Sequence, residues 1–132
     1  MEKTYTSTQK YVKVSPRKAR VVLAAIKKLT PQKAVEVLPY VVQKSADPIM
    51  NTIKTAMANA RMQGAEIETL VFKEIQISEG PRLKRGIAVS RGQYHPIKKR
   101  MSHIRVVLTT RKVEAPVKEK VEKKGVKGGT KS

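Results

Sequence analysis

Cysteine and tryptophan are absent from the 132 residues, and one phenylalanine and four tyrosines make up the whole aromatic complement. Without cysteine no disulfide and no thiolate metal site can form. With so few rings, the core must be built from Val, Ile, Leu, Met and Ala, and at 39% hydrophobic content it is small, enough for one domain. No window approaches the ~20 apolar residues of a membrane span, and the opening MEKTYTST has neither an apolar run nor a cleavage signature. The expectation is a soluble, cytoplasmic protein with no membrane partner. His95 and His103 have no carboxylate beside them, which makes a poor metal site, so neither metal nor cofactor is expected. Acidic residues are scattered singly apart from Glu66 and Glu68, in a turn. That leaves no acid/base pair or carboxylate cluster for catalysis, and the chain reads as a non-enzyme.

What is abundant is positive charge: 29 Lys and Arg against 10 Asp and Glu, a formal +19. So large an imbalance on a short chain implies a polyanionic partner. The excess is localised. Residues 1–25 hold six basic residues against Glu2, residues 26–79 seven against six, residues 80–113 ten against none, and the remainder six against three. A general solubility device would not need a nearly neutral centre.

The opening KTYTSTQKYVKVS suits a strand. Ser15-Pro16 then supplies an N-cap and a first helical proline, and Ala19, Val22, Leu23 and Ile26 recur on one helical face, leaving Arg17, Lys18, Arg20, Lys27 and Lys28 at its margin or outside. Thr30-Pro31 repeats the signal for a second short helix ended by Pro39. A third helix begins near Val41 or near Asp47 and stops at Gly64, with Ile49, Ile53, Met57 and Ala60 as its core face. From Leu70 the period becomes two: Val71, Ile75 and Ile77 on one face of a strand, Phe72, Glu74, Gln76 and Ser78 on the other. In the return strand SHIRVVLTTR, Ile104, Val106 and Leu108 alternate with Arg105, Val107 and Thr109. The expected fold is α+β: three helices packed on a small three-stranded antiparallel sheet.

Between Glu79 and Lys98 lie eighteen residues, longer than the roughly 12 to 15 that a structureless connection tolerates in a compact domain. Ser90-Arg91-Gly92 offers turn chemistry near the middle, so both strands are expected to continue outward as one protruding hairpin, about residues 80–100, with its tip at 88–92. Nine residues per arm at ~3.3 Å each would carry it roughly 30 Å from the sheet. A bare two-stranded ribbon is marginal in water, and phosphates would supply what the segment lacks. The bland alternative is a solvated basic loop. Against it stand the missing carboxylates, the spaced Leu83, Ile87, Val89 and Ile97, and strand pattern on both sides. Aromatics are too few for single-strand stacking platforms, and the charge lies on a hairpin instead of a recognition helix, which favours folded RNA read through backbone and shape.

Three stretches carry a resemblance: VSPRKARVVLAAIKKL, TAMANARMQGAE, and ISEGPRLKRG followed by IKKRMSHIRVVL. Together, over residues 10 to 111, the chain closely resembles the bacterial-type family of ribosomal large-subunit protein twenty-two. The resemblance implies a structural constituent that binds large-subunit ribosomal RNA early in assembly, beside neighbouring ribosomal proteins, with its hairpin lining the nascent-peptide exit tunnel. By position it assigns RNA contact to Arg17, Lys18 and Arg20 on the first helix and to Lys84, Arg85, Lys99, Arg100 and His103 on the hairpin motif. Arg82, Arg91, Lys98 and Arg105 join them on charge. The tip Ile87, Ala88, Val89, Ser90, Arg91 and Gly92 would face the tunnel and the nascent peptide. Family members often place proline and a basic residue where Ala88 and Val89 stand, which leaves Arg91 as the tip cation here. His103, beside Ser102, reads as a structural residue or an RNA contact. Residues 1–112 form one RNA-binding domain in this reading, and 113–132 a basic tail expected to be disordered, whose role stays open. The protein is not expected to be an obligate homo-oligomer. On charge alone an architectural DNA-binding protein stays in play, with Ile87 and Val89 as an apolar wedge.

Overall fold

The computed structural model describes residues 3–111; the tail at 113–132 lies outside them. Strand β1 (Thr4–Val12) is followed by helices α1 (Pro16–Ile26), α2 (Pro31–Val37) and α3 (Ala46–Met62), then by the long strands β2 (Leu70–Ala88) and β3 (Tyr94–Thr110). The sheet is antiparallel in the order β1-β3-β2, so β3 is central and pairs with both others. This is the α+β architecture read from the sequence.

Helices α1 and α2 start where a Pro pre-sets φ. Pro16 and Pro31 occupy first-turn positions in which the missing N–H would have no intrahelical partner. Ser15 takes the extended N-cap backbone, and its carbonyl accepts from Ala19 N at 3.1 Å, but its side chain makes no cap hydrogen bond. The start of α3 falls at Ala46, after Ser45 and not Asp47, so Pro48 is its third residue and fits within the first turn. Its end is fixed by Gly64 at φ +78: Ala65 N donates back to Ala60 O at 3.0 Å and Gly64 N to Arg61 O at 3.0 Å, the paired bonds of a Schellman motif.

The core lies between the helices and one face of the sheet. Ala19, Val22 and Ile26 of α1, Ile49, Ile53, Ala56 and Ala60 of α3, and Ile104, Val106 and Leu108 of β3 are buried in it, joined by Leu70 and Ile77 of β2. Tyr5, 2% exposed, is its one fully buried ring. Polar ties set α3 against β1: Asn59 Nδ2 donates to Thr6 O at 3.1 Å, and the Thr52 hydroxyl lies 3.0 Å from the Gln9 amide.

One face assignment is corrected. A bulge between Phe72 and Glu74 inserts Lys73 into β2 and resets the alternation. Phe72, expected on the outer face, packs against the core together with Ile75, while Val71, expected inward, is outside the cluster. A second bulge, between Glu79 and Arg82, sets Gly80 and Pro81 against Met101 alone and marks where the sheet ends and the protruding arm begins. Gly80 suits that close approach, since a Cβ would stand 3.1 Å from the Met101 carbonyl carbon, tighter than ordinary van der Waals contact.

Beyond that bulge the two strands stay paired from Arg82↔Arg100 to Ala88↔Tyr94, and every residue from Pro81 to Arg100 is exposed. Seven pairs, six steps at ~3.3 Å, amount to roughly 20 Å before the turn. The turn itself spans Val89 to Gln93, closed by Val89 N donating to Gln93 O at 2.9 Å, with Arg91 and Gly92 both at positive φ.

Candidate nucleic-acid interface

The pairing register decides what each face of the arm presents, since directly opposed residues share a face and neighbours alternate. One face carries Arg82 opposite Arg100 and Lys84 opposite Lys98, then Gly86 opposite Pro96 and Ala88 opposite Tyr94. The other carries Leu83 opposite Lys99, Arg85 opposite Ile97 and Ile87 opposite His95. The basal half of the first face is therefore two consecutive like-charge pairs. Opposed like charges destabilise a ribbon in water, and among the described residues no carboxylate pairs with Lys84 or Lys98. The second face alternates aliphatic and cationic residues, with Leu83, Ile87 and Ile97 exposed.

Farther out, the Tyr94 ring lies across Gly86, where a Cβ would fall 1.7 Å from Tyr94 Cζ. The glycine thus gives the ring a flat seat on the ribbon, and Tyr94 remains 68% exposed. At the tip, Arg91 holds φ 63, ψ 31, a left-handed conformation uncommon for a side chain with a Cβ.

At the root, the cationic face meets the helices. Arg17 and Arg20 of α1, with Arg82 and Arg100 of the arm, line one cleft around Glu79. Arg82 donates through Nε to Glu79 Oε1 at 3.0 Å and through Nη2 to the same oxygen, and Arg100 Nη1 lies 3.8 Å away. Hydrogen bonding from Arg82, then its charge, holds the Glu79 carboxyl below its ordinary value against an opposing desolvation cost, and Arg100 and Arg20 add lesser amounts. Arg20 has a structural duty as well, donating from Nη2 to Ile77 O at 3.0 Å. Beside this cleft, Lys13, Lys18, Lys44, Lys98 and Arg100 line a second concave surface.

The residues singled out from the sequence thus divide. Arg17, Arg20, Arg82 and Arg100 are brought to one cleft, Lys18 and Lys98 to the adjacent surface, and Lys84 continues the same arm face. Arg85 and Lys99 lie on the opposite face of the arm, where they line a third concave surface with Lys13, Lys44 and Arg100, and Arg91 stands alone at its end. Arg105 stands apart, exposed between Thr8 and Gln76 on the helix-free face of the sheet. For His103 the structure shows a structural partner: Nδ1 accepts from Tyr11 N at 3.0 Å and the two rings meet edge to face at 5.0 Å. Tyr11, at φ 58 in the β1 bulge, is held there by this contact. Lys13 and Lys44 were missed, because each is an isolated lysine in sequence and only the turn before α1 and the loop before α3 bring them to the arm. Among the described residues, no group of three or more His, Cys, Asp or Glu is arranged to hold a metal, and no helix is long and apolar enough to cross a membrane.

Fold and surface together define a class: a small α+β body that anchors a long, exposed, cationic two-stranded arm. Residues 7–109 match the profile of the family described as ribosomal protein L22p/L17e, and the chain belongs to that family. Over 102 residues it is 42% identical to a large ribosomal subunit protein uL22 of Desulfatibacillum aliphaticivorans, covering 77% of this chain and 94% of the relative. The protein of the same name from Nitratidesulfovibrio vulgaris strain Miyazaki F is 39% identical over 103 residues, 77% of this chain and 92% of its own length. That of Thermotoga sp. strain RQ2 is 36% identical over 114 residues, 86% of this chain and 72% of its own. The family is one of structural ribosomal proteins and not of enzymes.

Proposed function

We propose that the chain is a structural constituent of the large ribosomal subunit in the cytoplasm, where it binds large-subunit ribosomal RNA, supports assembly beside neighbouring ribosomal proteins, and lines the nascent-peptide exit tunnel with its arm. Family membership supports the place in the ribosome. The observation that supports RNA binding is the pair of like-charge steps, Arg82 opposite Arg100 and Lys84 opposite Lys98, on a ribbon whose residues are all exposed. Phosphates on that face would turn repulsion into pairing, and guanidinium forks match phosphate oxygens in geometry. The tip from Ile87 to Gly92 is the part proposed to reach the tunnel, with Arg91 as its cation and Ile87 and Val89 as apolar contacts for a passing peptide.

The deciding experiment measures binding of the purified protein to large-subunit ribosomal RNA under competition from equal masses of duplex DNA and unrelated folded RNA. The full chain is compared with one lacking Arg82 to Lys99. Preference for ribosomal RNA that weakens on deletion is the expected result. Equal competition by duplex DNA would overturn the reading in favour of an architectural DNA-binding protein.

A further inference from the structure

At the hairpin root, four guanidinium groups from three elements face a single cleft of about 410 Å³: Arg17 and Arg20 from α1, Arg82 from β2 and Arg100 from β3. One carboxylate, Glu79, stands among them, so the charges do not cancel and three positive charges remain. Mutual repulsion would splay flexible arginines apart, yet two of them are held. Glu79 grips Arg82 through Nε and Nη2, and Ile77 O accepts from Arg20 Nη2 at 3.0 Å. A guanidinium carries five N–H donors, so both retain donors beyond those used. The opening of α1 lies at the same cleft: Ser15 and Arg17 line it, the Ser15 side chain makes no cap hydrogen bond, and the first turn has no acidic residue. Aimed forks, surplus positive charge and an uncapped helix start on one concave surface are the elements of an anion site.

We propose that this cleft holds one RNA backbone phosphodiester at the point where the arm leaves the body, with Glu79 as an internal placeholder. The proposal rests on the reading of the chain as a ribosomal RNA-binding protein and names where one phosphate is fixed. In the free protein, Glu79 keeps the Arg82 fork extended. When a phosphate enters, its non-bridging oxygens take the free donors of Arg17, Arg20 and Arg100 and share Arg82. Such a site would fix the angle between body and arm, because its ligands come from α1 on one side and from both arm strands on the other.

Two measurements test it. In a titration with inorganic phosphate followed by the arginine Nε–H resonances, the signals of Arg17, Arg20, Arg82 and Arg100 should move together and saturate. Arg61, which lines a separate pocket with Glu66 and Glu68, should only drift. With purified large-subunit ribosomal RNA, Arg17→Gln and Arg100→Gln should each lower the slope of log affinity against log salt by about 1. Both side chains are exposed and Arg20 is left intact, so the variants should keep the wild-type melting transition. Slopes equal to wild type in both variants overturn the proposal, as does uniform, unsaturated drift of all arginines including Arg61. Saturation by inorganic phosphate with unchanged RNA slopes would make the cleft a free-anion site and defeat the RNA assignment. Failure of the underlying reading looks different: the wild-type protein itself would show no preference for ribosomal RNA over duplex DNA.

Discussion

Glu79 sits one residue before the long acid-free segment, and its position gives it a role that its sequence neighbourhood does not announce. Its ionised form is favoured chiefly by the hydrogen bonds from Arg82 and by that residue's charge. The linkage follows: a carboxyl whose folded-state pKa is depressed adds stability that is present above its unfolded value, about 4.3, and is lost as pH falls through the lower folded value. Because the pair is exposed, the effect belongs to local order at the hairpin root and not to global stability. In a carbon-detected titration Glu79 should protonate at lower pH than a glutamate in a short unstructured peptide. Arg82→Gln should move it back toward that reference, and an unchanged titration in that variant would contradict the assigned cause. His103 has a structural partner that its sequence neighbourhood does not announce: its Nδ1 accepts from the Tyr11 amide, and no spacing rule links residues so distant in sequence.

At the scale of elements, α3 and the arm follow opposite rules. In α3 the sequence period and the burial agree: Ile49, Ile53 and Ala60 are fully covered. Ile53→Ala should cost about 2–5 kcal/mol, read as a lowered denaturant midpoint with unchanged slope. In the arm, stability and function oppose one another. Lys98→Glu places a carboxylate opposite Lys84, replacing a repulsive cross-strand pair by an attractive one worth about 0.2–1 kcal/mol. The variant arm should show slower amide exchange in the free protein and yet bind ribosomal RNA less tightly. Loss of protection and of affinity together would mean that Lys98 supports the ribbon instead of serving a ligand. The bulges belong to this scale too. Each adds one residue that reverses the later alternation, which is why Phe72 lies inward against the expectation from a strict period of two.

For the whole molecule the decisive quantity is where the positive charge sits relative to the core. The hydrophobic cluster lies entirely in the body, and the densest charge lies on the arm and on the rim where the arm leaves it. A protein that neutralises about 6 to 10 phosphates should lose about 10³- to 10⁵-fold in affinity for ribosomal RNA between about 50 and 200 mM salt. Filter binding across that range checks this, and a flat response would sink the electrostatic mechanism. Burial and charge are thus separate designs in one chain: the buried apolar cluster lies in the body, while the arm is exposed along its length and carries the densest charge.

Much was settled by the amino-acid order alone. Paired Ser-Pro and Thr-Pro starts, the apolar faces of three helices, Gly64 as a stop, and two strands framing an acid-free segment are all local signals. Each depends on a backbone preference or a period acting within a few residues. The tertiary structure decided the rest. It placed β3 between β1 and β2, inserted the bulges that set each face, and fastened His103 to Tyr11. It also gathered Arg17, Arg20, Glu79, Arg82 and Arg100, up to 83 positions apart, around one cleft. Pairing register and helix docking bring such residues together through contacts across the chain, and the energy of those contacts is written in no single stretch of it.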